Sequence, residues 1–136
     1  MPLTANRETD FFATQELLDL PVDDNVLIYK GALVGLNAAT GLARPLVAGD
    51  KFVGVAYRAA DNTGAGHAAG AVTVRLHQFI DLVHALAGVT ATNVGAVVYA
   101  SDDGTLTLTS SGNSRVGRVV ERVSTGVARV RCEPWQ

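Results

Sequence analysis

Val97-Val98-Tyr99-Ala100, Ser101-Asp102-Asp103-Gly104, Thr105-Leu106-Thr107-Leu108-Thr109, Ser110-Ser111-Gly112-Asn113, Val116 to Val123, Ser124-Thr125-Gly126, Val127 to Cys132: the last third of the chain alternates β-patterned runs with turn residues. Thr105 to Thr109 alternates strictly, which places Leu106 and Leu108 on one face of a half-buried strand and the threonines on the other. Asp103-Gly104 predicts a tight hairpin whose glycine supplies a positive φ. Ala128, Val130 and Cys132 share a face, so the single cysteine is expected to point into a core. A chain that spends its residues this way builds a surface rather than a catalytic pocket.

Upstream the same grammar continues. Leu17 to Val22, Val26 to Lys30, Ala32 to Leu36, Leu42 to Val47 and Lys51 to Arg58 read as strands, broken at Asp23-Asp24-Asn25, Gly31, Asn37 to Gly41 and Ala48-Gly49-Asp50. Pro21 marks the first run as an edge strand or a bulge. Alternation predicts one shared face for Val53, Val55 and Tyr57. Ala59 to Gly70, rich in Ala and Gly, reads as a long mobile loop without an anchoring side chain. Val72 to Leu76 begins another strand, whereas His77 to Ala87 fits a helix face of Phe79, Leu82, Val83 and Leu86 as well as it fits a strand. Thr90 is a candidate N-cap for a single helical turn closed by Gly95. The fold class is mainly β: a small antiparallel barrel or sandwich over residues 15–136, with one or two short helical turns. Residues 1–14 are polar, lack a period and read as an extended N-terminal arm in which Phe11 and Phe12 seek a partner.

Composition bounds the function. The chain has 136 residues, 48% hydrophobic and 18% charged, with 6% aromatic, so its core is expected to be built from valine, alanine and leucine. A net charge of −2 gives no global attraction to nucleic acid or to an anionic membrane. The N-terminus has neither the basic start nor the apolar core of a signal peptide, and Asp81 and His84 interrupt the longest apolar region, so a soluble, unexported protein is expected. Charge is nonetheless uneven. Arg115, Arg118, Arg122, Arg129 and Arg131 fall in the last two strands, while Asp10, Glu16, Asp19, Asp23 and Asp24 crowd the N-terminal end. Such asymmetry suits either a solvated strand face or contact between copies.

Reactive patterns are missing. His67, His77 and His84 lack metal-ligand spacing, and one cysteine excludes both an intrachain disulfide and a cysteine zinc site. Gly112-Asn113-Ser114-Arg115-Val116-Gly117 misplaces the glycine of a nucleophile elbow, so a hydrolase would need Ser114, a histidine and an aspartate assembled by the fold. Asp23-Asp24 and Asp102-Asp103 sit beside turn residues, where aspartate bonds its own backbone. Gly64-Ala65-Gly66 lacks the rest of a phosphate loop. No cofactor, no metal, no nucleic acid and no catalysis are expected. Trp135, after Glu133-Pro134, is expected to cap the end of the domain or an interface.

In order along the chain, Val26-Leu27-Ile28-Tyr29-Lys30-Gly31-Ala32-Leu33-Val34-Gly35-Leu36-Asn37, Ala43-Arg44-Pro45-Leu46, Phe52-Val53-Gly54-Val55-Ala56, Leu86 to Asp103, and Val116-Gly117-Arg118-Val119-Val120-Glu121 resemble the tailed-phage head decoration, or capsid cement, proteins. The resemblance covers roughly residues 16–132, and its specificity lies in the ordered series. It implies a structural protein that trimerises, sits at threefold positions on the outside of the head and clamps major capsid subunits, after assembly in the bacterial cytoplasm. It implies no catalytic residues. It also implies that the arm meets the capsid, with Leu3, Arg7, Phe11 and Phe12 as contact residues, and that Arg118, Arg122 and Trp135 lie at the oligomer interface. The bulkier stretch from His77 to Ala87 departs from the family pattern. A different class, a trimeric β module holding a glycan or small ligand between subunits, would need aromatics grouped with carboxamides in one cleft.

Overall fold

A computed structural model describes residues 17–135, which form twelve strands and one 3₁₀ turn. The strands are β1 (Leu17–Pro21), β2 (Leu27–Ile28), β3 (Leu33–Leu36), β4 (Ala43–Pro45), β5 (Lys51–Ala56), β6 (Ala60–Asp61), β7 (Thr73–His77), β8 (Asp81–Ala85), β9 (Val97–Asp102), β10 (Thr105–Thr107), β11 (Ser114–Ser124) and β12 (Val127–Cys132). The 3₁₀ turn, Ala91–Asn93, begins at Thr90, the residue expected at its N-cap; the bond formed there is from the Thr90 N–H to Asn93 Oδ1 at 2.7 Å.

Two five-stranded antiparallel sheets result. The first has the order β1-β7-β5-β3-β4 and the second β10-β9-β11-β12-β8, while β2 and β6 pair separately. The sheets do not close into a barrel: β8 and β10, the edges of the second sheet, converge only at an isolated bridge between Leu86 and Leu106. His77 to Ala87 resolves as the end of β7 and all of β8, because pairing of Leu82 and His84 with Val130 and Ala128 offers a backbone ladder that a lone helix would forgo.

Two hydrophobic clusters lie on opposite faces of the first sheet. Leu33, Phe52 and Val55 pack with Val98, Val116, Ala128 and Val130 of the second sheet, and Cys132 joins them as expected. Val34, Val53, Val74 and Leu76 pack the other way, against Val22, Ile28 and Ala60. The first sheet is therefore covered on both faces, and the run Phe52-Val53-Gly54-Val55-Ala56 is buried throughout. Each of these valines and leucines contributes about 1.5–3 kcal/mol by leaving water.

The shared face expected for Val53 and Val55 is not observed. The register of β5 against β3 slips between Val34 and Gly35, so Phe52 faces Gly35 and Gly54 faces Val34, leaving Val53 as the extra residue of a bulge. Val53 and Val55 consequently enter different clusters. Gly54 makes this bend feasible: its φ is +154°, and a Cβ there would lie 2.6 Å from the His77 carbonyl oxygen.

Two further expectations change. Gly104 does not adopt a positive φ; instead Asp102 Oδ1 accepts the Gly104 N–H at 2.8 Å, and a shift between Thr105 and Leu106 absorbs the hairpin twist. Residues 59–70 are anchored rather than loose. They include β6, and the fully buried Asn62 donates from Nδ2 to the carbonyls of Asp23 (2.8 Å), Ala68 (3.0 Å) and Val22 (3.3 Å). One carboxamide thus ties its own segment to two backbone segments, at Val22–Asp23 and at Ala68, that no hydrophobic period marks. Pro21 ends an edge strand, as expected.

Candidate functional site

The outer face of the second sheet gathers four arginines and the carboxylates that pair with them. Cross-strand partners share a face, so the register places Val97 and Tyr99 of β9, Arg115 and Arg118 of β11, Arg129 and Arg131 of β12, and Asp81 and Val83 of β8 outward together. Their neighbours Val98, Ala128 and Val130 are fully buried, which is the alternation that a sheet with one wet face requires.

Carboxylates organise the arginines into two groups. Asp81 Oδ2 accepts from Arg129 Nε at 2.8 Å and Nη2 at 2.5 Å, and its Oδ1 accepts from Arg131 Nε at 2.9 Å. Glu121 approaches Arg129 from the other side at 3.7 Å. Nearer β9, Glu133 pairs with Arg115 at 3.2 Å and stands 3.9 Å from Arg118, whose Nη1 donates to the Gly95 carbonyl at 3.0 Å. Hydrogen bonds from Arg131 and Arg129 hold the Asp81 carboxyl down to about 2, well below its ordinary 3.8. Asp81 and Glu133 are each shared by two arginines, leaving guanidinium edges in water; the Arg131 side chain is 59% exposed. The arrangement fixes long side chains on a rigid sheet beside the exposed Val83, which lowers the entropy cost of contact with another surface.

The sequence-predicted interface residues are not gathered into one patch. Arg118 is on this outer face, opposite Arg131. A bulge at Val120 shifts the register, so that Glu121 opposes Arg129 and Arg122 opposes Ala128, on the other side of β11, where it bonds Thr125 at 3.1 Å. Trp135 has a φ of +73°, donates its N–H to the Phe52 carbonyl at 3.1 Å and leaves its side chain 44% exposed beside the first sheet. Leu3, Arg7, Phe11 and Phe12 lie outside the described residues. Asp81, the hub of the charged face, was missed by sequence reading; its only local signal is an aspartate in an otherwise apolar run opposite an Arg-x-Arg strand.

Groups with reactive chemistry are spent on structure. Ser114 is buried and its hydroxyl turns to the Val47 carbonyl at 3.4 Å. Burial pushes the Cys132 thiol up to about 12, so it is no nucleophile near neutral pH. Asp23 accepts from Asn37 Nδ2 and the Asp24 N–H, both at 2.9 Å, and from Thr40, bonds that keep its carboxyl ionised. His67 lies in the 62–72 loop, His84 Nδ1 stands 2.8 Å from the Ala85 carbonyl, and His77 meets Tyr57 edge-on at 5.0 Å. Among the described residues no group of three or more His, Cys, Asp or Glu is placed to hold a metal. A groove of about 330 Å³ between the Asn37–Gly41 turn and residues Gly49 to Lys51 has no aromatic in its lining. No helix of the described chain is long and apolar enough to cross a membrane.

Comparison with known proteins gives one finding. A family model described as "Phage cement protein" matches residues 12–134. No curated protein and no solved structure matches the chain.

Proposed function

The chain belongs to the phage cement protein family, a structural class that binds capsids, and from that premise we propose that it attaches as a homotrimer at threefold positions on the outside of a phage head and stabilises the shell. In this reading the protein is made in the bacterial cytoplasm and ends in the virion, where it clamps neighbouring major capsid subunits. Residues 1–14 reach the capsid through Leu3, Arg7, Phe11 and Phe12, and residues 15–136 form the body. Arg118, Arg122 and Trp135 contribute to contacts between copies, with Arg118 and Arg122 serving two different faces of β11. The observation that carries the reading is the family match over nearly the whole chain. The charged, carboxylate-braced face supports it, since preorganised arginines suit macromolecular contact. Three tethered arms on one oligomer raise the effective concentration for each other, so weak single contacts add up to firm attachment on a fixed lattice.

Deleting residues 1–14 tests the assignment. The truncated protein is expected to keep its circular dichroism spectrum and the trimer mass by light scattering, and to lose co-sedimentation with cement-free capsids. Unchanged co-sedimentation would remove the arm from the mechanism, and a monomeric mass at all concentrations would remove the trimer.

A further inference from the structure

We propose, on the capsid-attachment reading above, that the outer face of the second sheet around Val83, Arg129 and Arg131 is a docking surface for an acidic segment of the capsid subunit. A wet sheet face needs only polar side chains. This one carries two arginines at alternate positions of β12, where like charges stand side by side, and a single aspartate from β8 holds both. Opposite Arg129, Val83 keeps 61% of its surface in water. The chain's two lysines, Lys30 and Lys51, both lie elsewhere, before β3 and at the start of β5. An exposed apolar side chain among fixed arginines, without lysine, is the composition of a protein contact, where arginine is enriched and lysine depleted.

Depth sets the sign of this surface. The Asp81 side chain is 21% exposed, against 42% for Arg129 and 59% for Arg131, so the carboxylate lies beneath the guanidinium groups that it holds. Both of its oxygens are already taken, Oδ2 by Arg129 Nε and by Nη2 of both arginines, and Oδ1 by Arg131 Nε. The arginines, by contrast, keep donors in hand. Arg131 Nη1 makes no hydrogen bond among the described residues, and Arg129 Nη1 has only Glu121 at 3.7 Å, beyond hydrogen-bond distance. A partner therefore meets cations with unused N–H groups, which a carboxylate matches fork to fork. Glu121 approaches Arg129 from β11, so the acidic segment lies over β12 and β8, on the side of Val83.

An acidic polypeptide suits this surface better than a nucleic-acid backbone does. Glu121 and Glu133 on the same face repel a continuous row of phosphates, and a chain of net charge −2 offers such a polyanion no general attraction. A protein segment, in turn, can set carboxylates over Arg129 and Arg131 and an apolar group over Val83. Both arginines are held by Asp81 before any contact is made, so little side-chain freedom is lost on docking.

Opposite charges placed at one position test this on the full chain with cement-free capsids. Val83→Glu is expected to weaken co-sedimentation at least about tenfold, whereas Val83→Lys is expected to bind at least as tightly as wild type. The position is exposed, so both variants are expected to keep the wild-type circular dichroism spectrum. Arg131→Glu is expected to weaken binding as Val83→Glu does, and Arg58→Glu, the same charge change at an exposed position just after β5, to leave it unchanged. Equal losses in Val83→Glu and Val83→Lys would overturn the acidic partner. Wild-type binding by both Val83→Glu and Arg131→Glu would overturn the docking surface and leave the cement reading intact. A lower oligomer mass of Val83→Glu by light scattering would assign the face to a second copy, and duplex DNA bound by wild type but not by Arg131→Glu would assign it to nucleic acid; either overturns the capsid occupant. Wild type that fails to bind capsids would overturn both this surface and the reading on which it rests.

Discussion

Strands β5 and β12 sit in the two sheets of one molecule and show what the sheets are for. β5, Lys-Phe-Val-Gly-Val-Ala, is buried from Phe52 onward because clusters press on it from both sides. β12, Val-Ala-Arg-Val-Arg-Cys, buries Ala128, Val130 and Cys132 and turns Arg129 and Arg131 to water. A sheet covered twice is committed to holding the fold, and its positions are constrained by packing. A sheet covered once keeps a face whose residues are bound by the backbone alone, and in this chain that face carries a braced array of charge. Of the two sheets, the second is therefore the one that keeps a charged face turned to water.

The contrast is easiest to break on β5. Val53→Asn and Val55→Asn each bury a carboxamide among apolar side chains, one in each cluster, and each is expected to cost about 3–5 kcal/mol in urea unfolding. If one of the two were mild, the first sheet would not be covered on both faces. Asp81→Asn probes the charged face at a smaller scale. The carboxyl is lowered from 3.8 to about 2 in the folded protein, so its contribution is present above about pH 4 and fades as pH falls toward 2. Thermal midpoints of wild type and Asp81→Asn are expected to differ most at neutral pH and to converge near pH 2; a gap independent of pH would mean that the aspartate acts through packing. The smallest effect is expected at Arg122→Ala, which removes an exposed side chain bonded to Thr125 and should stay within about 0.5 kcal/mol of wild type.

Much of this was legible in the sequence because period-two patterning is a property of neighbouring residues. The hairpin series from Val97 to Cys132, the inward Cys132, the edge character of Pro21 and the Thr90 cap are each set by local stereochemistry. The candidate site was only half legible. Arginines crowding the last two strands were visible, but the aspartate that organises two of them is distant in sequence and arrives through β8 pairing with β12.

By itself, then, the sequence determined that the chain is a β protein with a small-residue core, turns at its polar breaks and arginines on its last strands, because each of these depends on a few adjacent side chains. Only the tertiary structure decided which faces are covered. The bulges at Val53 and Val120 reverse the alternation that local pattern predicts, separating Val53 from Val55 and Arg118 from Arg122. Asn62 fixes a loop that reads as free, by hydrogen bonds to backbone about forty residues away. Register slips and buried polar anchors are selected by the fit between segments remote in sequence, and no window of neighbouring residues contains that information.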